Sequence, residues 1–302
     1  MNEATLAPAP VLDSILGAIG HTPLVRLQLA GVPEGVEVWG KCEWFNPGGS
    51  VKDRTALSIV VEGERAGMLR PGKTIVDSSS GNTAVGLALV GRAKGYPVEL
   101  VMPESVSPER RRLCEAYGAR IVLTDAFAGS DGALLQVREM VAADEARYFY
   151  ADQYRNPANP LAHYRTTGPE VWEQTGGRIT HFVAGLGTTG TVVGAGRFLH
   201  ERRAGVRVIA VEPAEALHGL EGLKHLETAI VPEIYDPSVA DEKLAVVTED
   251  AYALRPEVLA GNGLLIGHSA GAALWAAREV ARGLRAGVVV ALLPDGGERT
   301  IR

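Results

Sequence analysis

A lysine at the start of a helix is a candidate nucleophile, and Lys52 stands in such a place within Asn46 Pro47 Gly48 Gly49 Ser50 Val51 Lys52 Asp53 Arg54. The positive end of the helix dipole disfavours an ammonium and favours the neutral amine, the form that attacks a carbonyl to make a Schiff base. Taken alone, a lysine on a first helical turn is more simply a solvated surface residue. The Asn-Pro-Gly-Gly-Ser lead-in is a tightly specified turn and not a generic loop, which sets Lys52 apart.

Three other segments each open an apolar helix. In Asp77 Ser78 Ser79 Ser80 Gly81 Asn82 Thr83, backbone N–H groups, hydroxyls and an amide could hold a carboxylate or a phosphate. One serine acting as an N-cap would account for the same residues without a ligand. Gly185 Leu186 Gly187 Thr188 Thr189 Gly190 Thr191 reads as a phosphate cup, because glycines let the backbone approach an anion and threonines add donors. It lacks the Gly-Lys-Ser/Thr ending of a nucleotide P-loop, which points to a lone phosphate. Within Leu265 to Ala272, Ser269 either caps a helix or offers its hydroxyl to a ring nitrogen, and His268 reads as an incidental neighbour. The chain closes with Pro294 Asp295 Gly296 Gly297 Glu298 Arg299, a strand-end loop of the kind that borders ligands in α/β sheets. A lysine for an aldehyde, a cup for one phosphate, donors for a carboxylate and a hydroxyl for a ring nitrogen together describe a pyridoxal 5′-phosphate site.

These loops need a scaffold. Short β-branched runs alternate with longer amphipathic stretches, the signature of parallel strands with crossover helices, so the fold class is α/β. Strands are expected at 36–43, 74–77, 98–102, 120–123, 148–150, 181–184, 207–211 and 288–292. Helices are expected at 51–66, 82–94, 108–117, 132–143, 167–174, 191–202, 249–259 and 270–283. Asp152 to Pro160 reads as a crossing between two lobes, and Leu217 to Asp236, which has no clear period, as a mobile cover.

The 302 residues suffice for two lobes, and 46% hydrophobic with 22% charged residues is ordinary globular composition. No run approaches the ~20 apolar residues of a membrane span. Met1 to Pro10 lack a basic start and an apolar core, so no export signal is read and a cytoplasmic location is expected. A net charge of −6 argues against a general nucleic-acid binder. The two cysteines, Cys42 and Cys114, make no metal spacing and are expected to be buried and reduced; no metal site is expected.

At this point the sequence resembles the cysteine synthase family, the β-substituting enzymes of pyridoxal phosphate fold type II, related to cystathionine β-synthase. The resemblance runs from Gly20 His21 Thr22 Pro23 Leu24 Val25 Arg26 Leu27 through the lysine segment and Ser80 Gly81 Asn82 Thr83. It continues through Met102 Pro103 Glu104, Asn156 Pro157 Ala158 Asn159, Thr167 Gly168 Pro169 Glu170 and Gly187 to Thr191, as far as Pro294 to Arg299. It implies a smaller mobile lobe over 44–152 and a larger cofactor-binding lobe over 1–43 plus 153–302, each a mostly parallel sheet flanked by helices. Lys52 then matches the cofactor-bearing, catalytic lysine and Asn82 the asparagine at the cofactor's ring oxygen. Gly187, Thr188, Thr189, Gly190 and Thr191 match the phosphate cup, and Ser269 the serine facing the pyridine nitrogen. Ser79, Ser80, Gly81, Thr83 and Gln153 match the grip on the substrate carboxylate, with Gly222 and Lys224 expected beside the substrate.

The resemblance further implies β-replacement: an activated serine, O-acetylserine or O-phosphoserine, gives an aminoacrylate to which sulfide or a carrier-protein thiocarboxylate adds, yielding L-cysteine. A homodimer and a small sulfur-carrier partner belong to the same expectation. The loop His218 to Leu226 looks closer to members that use O-phosphoserine or a thiocarboxylated carrier protein, and Lys224, with His225, either offers positive charge to a phosphate leaving group or is a solvated lysine in a mobile loop. Two departures stand out: Asp77 Ser78 Ser79 replaces the usual Glu-Pro-Thr, and Ala270 replaces the second serine after Ser269. Rival readings are cystathionine β-synthase, a serine or threonine dehydratase, and a catalytically silent homologue that binds a partner protein.

Overall fold

The structure, a computed structural model, describes residues 11–300, with Arg299 and Thr300 described by backbone alone. The first ten residues, read above as lacking an export signal, lie outside it. Among the described residues, ten strands divide between two sheets. The strands are β1 Leu24–Leu27, β2 Val36–Cys42, β3 Thr74–Ser78, β4 Val98–Pro103, β5 Arg120–Thr124, β6 Tyr148–Tyr150, β7 His181–Gly185, β8 Arg207–Pro213, β9 Glu242–Val246 and β10 Gly287–Leu293. The helices are α1 Lys52–Arg65, α2 Asn82–Lys94, α3 Pro108–Ala116, α4 Gly129–Ala143, α5 Ala158–Ala162, α6 Gly168–Gln174, α7 Gly190–Arg202, α8 Thr248–Asn262 and α9 His268–Arg282.

One sheet has the order β5-β4-β3-β6 and is parallel throughout; the other has the order β1-β2-β10-β7-β8-β9, parallel except for β1 on β2. Every residue of β4 is buried, as a strand covered by helices on both faces must be. Its apolar, β-branched run without alternation fits that place. Helix α2 is likewise buried without a break from Thr83 to Gly91. Gly86 is needed there: a Cβ would come within 3.1 Å of the Lys52 carbonyl and 3.2 Å of Ala56 Cβ, so its absence lets α2 lie close on α1. That close approach sets Lys52 over the N-terminal half of α2.

Two strands escaped the periodic reading. β1 is four residues long, and β9 is an edge strand, Glu-Lys-Leu-Ala-Val, with only Val246 buried. The stretch Asp152 to Pro160, expected to be a crossing, holds the start of α5, and His163–Thr167 between α5 and α6 forms a π-helical turn, a distortion common at functional sites. The stretch 217–236, expected to be a mobile cover, is pinned at three points. Leu220, Leu223 and Leu226 are buried in the core around β7, β8 and β10, each burial contributing about 1.5–3 kcal/mol. Among the described residues no helix is long and apolar enough to cross a membrane.

Both cysteines are free and buried, as their patterns implied. Burial, with the charge of Glu43 beside it, pushes the Cys42 thiol up to about 12.

Candidate active site

Lys52 is the first residue of α1, and its backbone N–H donates to Ser50 Oγ at 3.2 Å. The turn before it is locked from several sides. Gly48 N–H donates to the Asp53 carboxylate, Asn46 donates to Glu43 Oε2 at 2.9 Å, and Val51 N–H takes the carbonyl of Pro294 at 2.9 Å. The side chain enters a space walled by protein while keeping some contact with solvent. Burial pushes the amine's pKa down, and the charges of Asp295 and Glu43 only partly offset this. The neutral amine expected from the helix dipole is therefore favoured chiefly by desolvation.

Behind Lys52 lies a buried charge cluster. Arg54 donates Nε to Glu43 Oε2 at 2.7 Å and Nη1 to Glu170 Oε1 at 2.6 Å, and its Nη2 reaches Thr22 Oγ1 at 3.0 Å. Lys41, fully buried, donates to Glu170 Oε2 at 2.6 Å, Gln174 Oε1 at 2.9 Å and the Thr22 carbonyl at 2.6 Å. Burial pushes Glu170 up, but the hydrogen bonds and charges of Arg54 and Lys41 outweigh it and set the carboxyl at about 2. Burial shifts Lys41 down despite its carboxylate partner. Of the two partners the carboxylate is the better supported, because it accepts from both Arg54 and Lys41. This cluster ties β2, α1 and α6 together and fixes the helix that carries Lys52.

The loop Ser78 to Gly81, expected to grip a carboxylate, follows β3. A serine N-cap is not what forms: the cap position of α2 is Gly81, and no side chain caps the helix. Ser79 instead accepts from Gly81 N–H at 3.3 Å. A Cβ at Gly81 would meet open space. Thr83 Oγ1 donates to Gln153 Oε1 at 2.6 Å, bringing together two residues expected at the substrate carboxylate. Asn82 donates to Asp295 Oδ2 at 2.7 Å. Asp295 was read only as part of a strand-end loop; here its charge faces Lys52 and its side chain holds Asn82.

The glycine-threonine cup opens α7. Thr189 holds its cap position at φ +70 with no side-chain cap, a conformation that costs a threonine of order 1–3 kcal/mol. Among the described residues the non-glycine residues of positive φ are His21, Asp152 and Thr189, each beside one of these clusters. Thr189 Oγ1 is buried and has no hydrogen-bond partner. A Cβ at Gly187 would lie 2.2 Å from the Gly222 carbonyl, and one at Gly190 would lie 2.0 Å from Asn159 Oδ1. A buried hydroxyl without a partner, at an uncapped helix N-terminus with glycines on either side, is the arrangement an anion completes. The residues present fit a pyridoxal 5′-phosphate whose phosphate they would hold.

His163, which the sequence reading passed over, links this cup to α1. Its Nε2 lies 3.4 Å from Thr55 Oγ1 and 3.3 Å from Thr191 Oγ1, and its Nδ1 lies 2.9 Å from Thr167 Oγ1. Burial, then the charges of Lys52 and Arg54, hold its pKa well below the ordinary value, so the ring is neutral. Three threonine hydroxyls converge on one imidazole, a pattern that only spatial neighbours reveal.

Ser269 does not cap its helix. Helix α9 begins at His268 with Gly267 at the cap, so Ser269 is its second residue, buried, two residues from the Gly267 N–H that takes the Asp295 carbonyl at 3.2 Å. His268 stacks on Tyr252, with ring centroids 4.4 Å apart. Gly222 adopts φ +88, and Lys224 N–H takes the Leu186 carbonyl at 2.7 Å, so their loop leans on the cup. The Lys224 ammonium lies over the Tyr154 ring, 4.8 Å from its centroid, and burial lowers its pKa while Asp131 opposes the shift. Among the described residues no cluster of potential ligands forms a metal site.

With this geometry in place, a family profile described as pyridoxal-phosphate dependent enzyme matches residues 15–295. A cysteine synthase of Aquifex aeolicus is 50% identical over 294 residues, covering 95% of this chain and 90% of that protein. The crystal structure of a cysteine synthase from Entamoeba histolytica superposes with a TM-score of 0.93 at 35% identity, covering 97% of this chain and 91% of its own. That of an O-ureido-L-serine synthase superposes with a TM-score of 0.90 at 42% identity, covering 96% of this chain and 94% of its own. A profile matched over nearly the whole chain, a relative sharing half its residues and a common two-sheet fold around Lys52 converge: this chain belongs to the cysteine synthase family of pyridoxal-phosphate dependent enzymes of fold type II.

Proposed function

We propose that this protein forms L-cysteine from an activated serine, O-acetylserine or O-phosphoserine, and a sulfur donor. The observation that carries the reading is that three helix N-termini without side-chain caps are tied to the surroundings of Lys52, an amine of lowered basicity: those of α2 and α9 through Asp295, and that of α7 through His163. Bound there, pyridoxal 5′-phosphate supplies the electron sink that makes the Cα proton of an amino acid removable. Gly187 to Thr191 would hold its phosphate, Asn82 its ring oxygen and Ser269 its ring nitrogen. A neutral hydroxyl does not stabilise a protonated ring as a carboxylate would, so Ser269 favours loss of a β-substituent over reactions needing a long-lived carbanion.

Ser79, Ser80, Gly81, Thr83 and Gln153 bind and orient the substrate carboxylate. Lys52 takes the proton from Cα, the bond from Cβ to oxygen breaks, and the leaving group departs as acetate or phosphate. A sulfur nucleophile then forms the bond to Cβ, and Lys52 returns the proton to Cα. Closure of the 44–152 lobe on the remainder, around a substrate in the cleft, would exclude water from these steps. Lys224 contributes positive charge to a phosphate leaving group. The protein works in the cytoplasm as a homodimer, with sulfide or a small carrier-protein thiocarboxylate as sulfur source.

The test combines holoenzyme with O-acetylserine, O-phosphoserine or serine, follows the cofactor's visible band, and then adds sulfide and assays cysteine. Cysteine from either activated serine is the expected result; a keto acid without sulfide would identify a dehydratase, and product only with homocysteine a cystathionine β-synthase. No change of the band with any donor would leave a silent homologue. An unchanged ratio of kcat/KM for the two activated serines in Lys224→Ala would remove Lys224 from leaving-group selection.

A further inference from the structure

The carboxylate loop is steadied by a residue outside it. Arg110, in the first turn of α3, donates Nη1 to the Ser80 carbonyl at 3.0 Å and Nη2 to Glu221 Oε2 at 3.4 Å. Its backbone is fixed in turn, with its N–H donating to the Ser107 carbonyl at 3.2 Å and to Ser107 Oγ at 3.4 Å. Helix α3 packs on the four-stranded sheet, whereas Glu221 sits between Leu220 and Leu223, which are buried in the core of the other sheet. One guanidinium therefore links the loop before α2 to a segment packed on the six-stranded sheet.

The carbonyl of Ser80 and the N–H of Gly81 belong to one planar peptide, so fixing one end fixes the other. Arg110 holds the carbonyl, and Ser79 Oγ receives the N–H. Because α2 has no side-chain cap, this peptide sets the direction in which the helix's first N–H groups point. A cation on the carbonyl also polarises the peptide and strengthens its N–H as a donor. On the far side, Glu221 precedes Gly222, whose carbonyl lies against Gly187 of the cup.

We propose that Arg110 is a positioning residue for carboxylate capture, holding the Ser80–Gly81 peptide in its receptive orientation. The proposal rests on the reading above that this loop binds an amino acid's α-carboxylate. It is tested with holoenzyme carrying Arg110→Ala, Arg110→Lys or Glu221→Gln, titrated with O-acetylserine by the cofactor band and assayed with sulfide. Hydrogen exchange of the 79–83 amides is measured without substrate. Arg110→Ala is expected to raise KM and the apparent Kd by about tenfold, with kcat within about threefold and the cofactor band before substrate unchanged. Exchange should quicken at 79–83 and stay unchanged at 187–191, and Arg110→Lys should recover part of both effects. Glu221→Gln should change KM by less than about threefold, since an exposed ion pair contributes little. Unchanged KM and unchanged exchange in Arg110→Ala would overturn the proposal, as would a KM increase that Lys does not relieve and that comes with faster exchange throughout the protein. If the wild type answers no activated serine, the functional reading falls, while the exchange experiment still decides whether Arg110 holds the loop.

Discussion

Behind Lys52, the buried charges of Lys41, Glu43, Arg54 and Glu170 answer one another at 2.6 to 2.9 Å. In the cup where the cofactor's phosphate would lie, Thr189 Oγ1 is buried with no hydrogen-bond partner, and at the end of β3, just before the serine loop, Asp77 Oδ2 is buried without one as well. The first region spends its polar groups on holding β2, α1 and α6 in register. The second keeps polar groups in reserve at a cost in stability, which is what a site does when a ligand is to complete it. Buried polarity therefore has two meanings here, separated by whether the partner is already part of the chain.

Four substitutions would break or sharpen that contrast. Lys52→Ala should lower kcat/KM at least ~10³-fold, about 4 kcal/mol of transition-state stabilisation, while thermal unfolding of the cofactor-free protein changes little. An equal loss of stability would place Lys52 with the structural cluster. Glu170→Ala should do the reverse, destabilising by about 3–5 kcal/mol in denaturant titrations because Arg54 and Lys41 lose a buried partner.

The same carboxylate sets an acid limit. With its pKa lowered to about 2 from 4.5, Glu170 contributes stability that is complete above the unfolded value and is lost as pH falls from 4.5 through 2. The contribution is on the order of 3 kcal/mol. Wild-type stability should fall over that window, and Glu170→Ala should flatten the fall.

Thr189→Val keeps the β-branched shape and removes the partnerless hydroxyl. Cofactor-free protein should gain up to about 1 kcal/mol while affinity for pyridoxal 5′-phosphate drops about tenfold; the two signs must be opposite for the cup reading to stand. Asp77→Asn should have the smallest effect. Burial, then the charge of Asp152, raises the Asp77 pKa well above its ordinary value, so its contribution to stability is present at low pH and is lost as pH rises through the folded value. Asparagine should stabilise by about 1 kcal/mol at neutral pH and remove that part of the pH dependence, as read by unfolding at several pH values.

Much of the scaffold was legible. The crossover pattern located eight strands within a residue or two of their ends, because parallel strands buried on both faces read as β-branched runs. β1 and β9 were missed for a physical reason: one is too short for a period to show, and the other is an exposed edge whose Glu242 and Lys243 mask the alternation. In the site, the Lys52 turn, the serine loop and the glycine-threonine cup announced themselves as runs of special residues. Yet Gly185, Gly187 and Gly190 also carry the G-x-G-x-x-G spacing of dinucleotide turns, so the glycines alone did not separate a nucleotide from a lone phosphate. Ser269 and the serine loop looked like N-caps until the cap positions fell on Gly267 and Gly81.

By itself, the sequence determined the local chemistry: a lysine after a locked turn, glycines where backbone must come close, and an apolar rhythm that makes an α/β fold. What only the tertiary structure decided were the pairings across long separations, such as Arg54 with Glu170, Asn82 with Asp295, His163 with Thr55 and Thr191, and Arg110 with Ser80 and Glu221. The reason is that local conformation follows from backbone sterics and hydrogen bonding within a few residues. Burial and charge pairing depend instead on which distant segments the core brings together. Lys52 itself shows both: its place on the helix was local, and its lowered basicity came mainly from the protein packed around it.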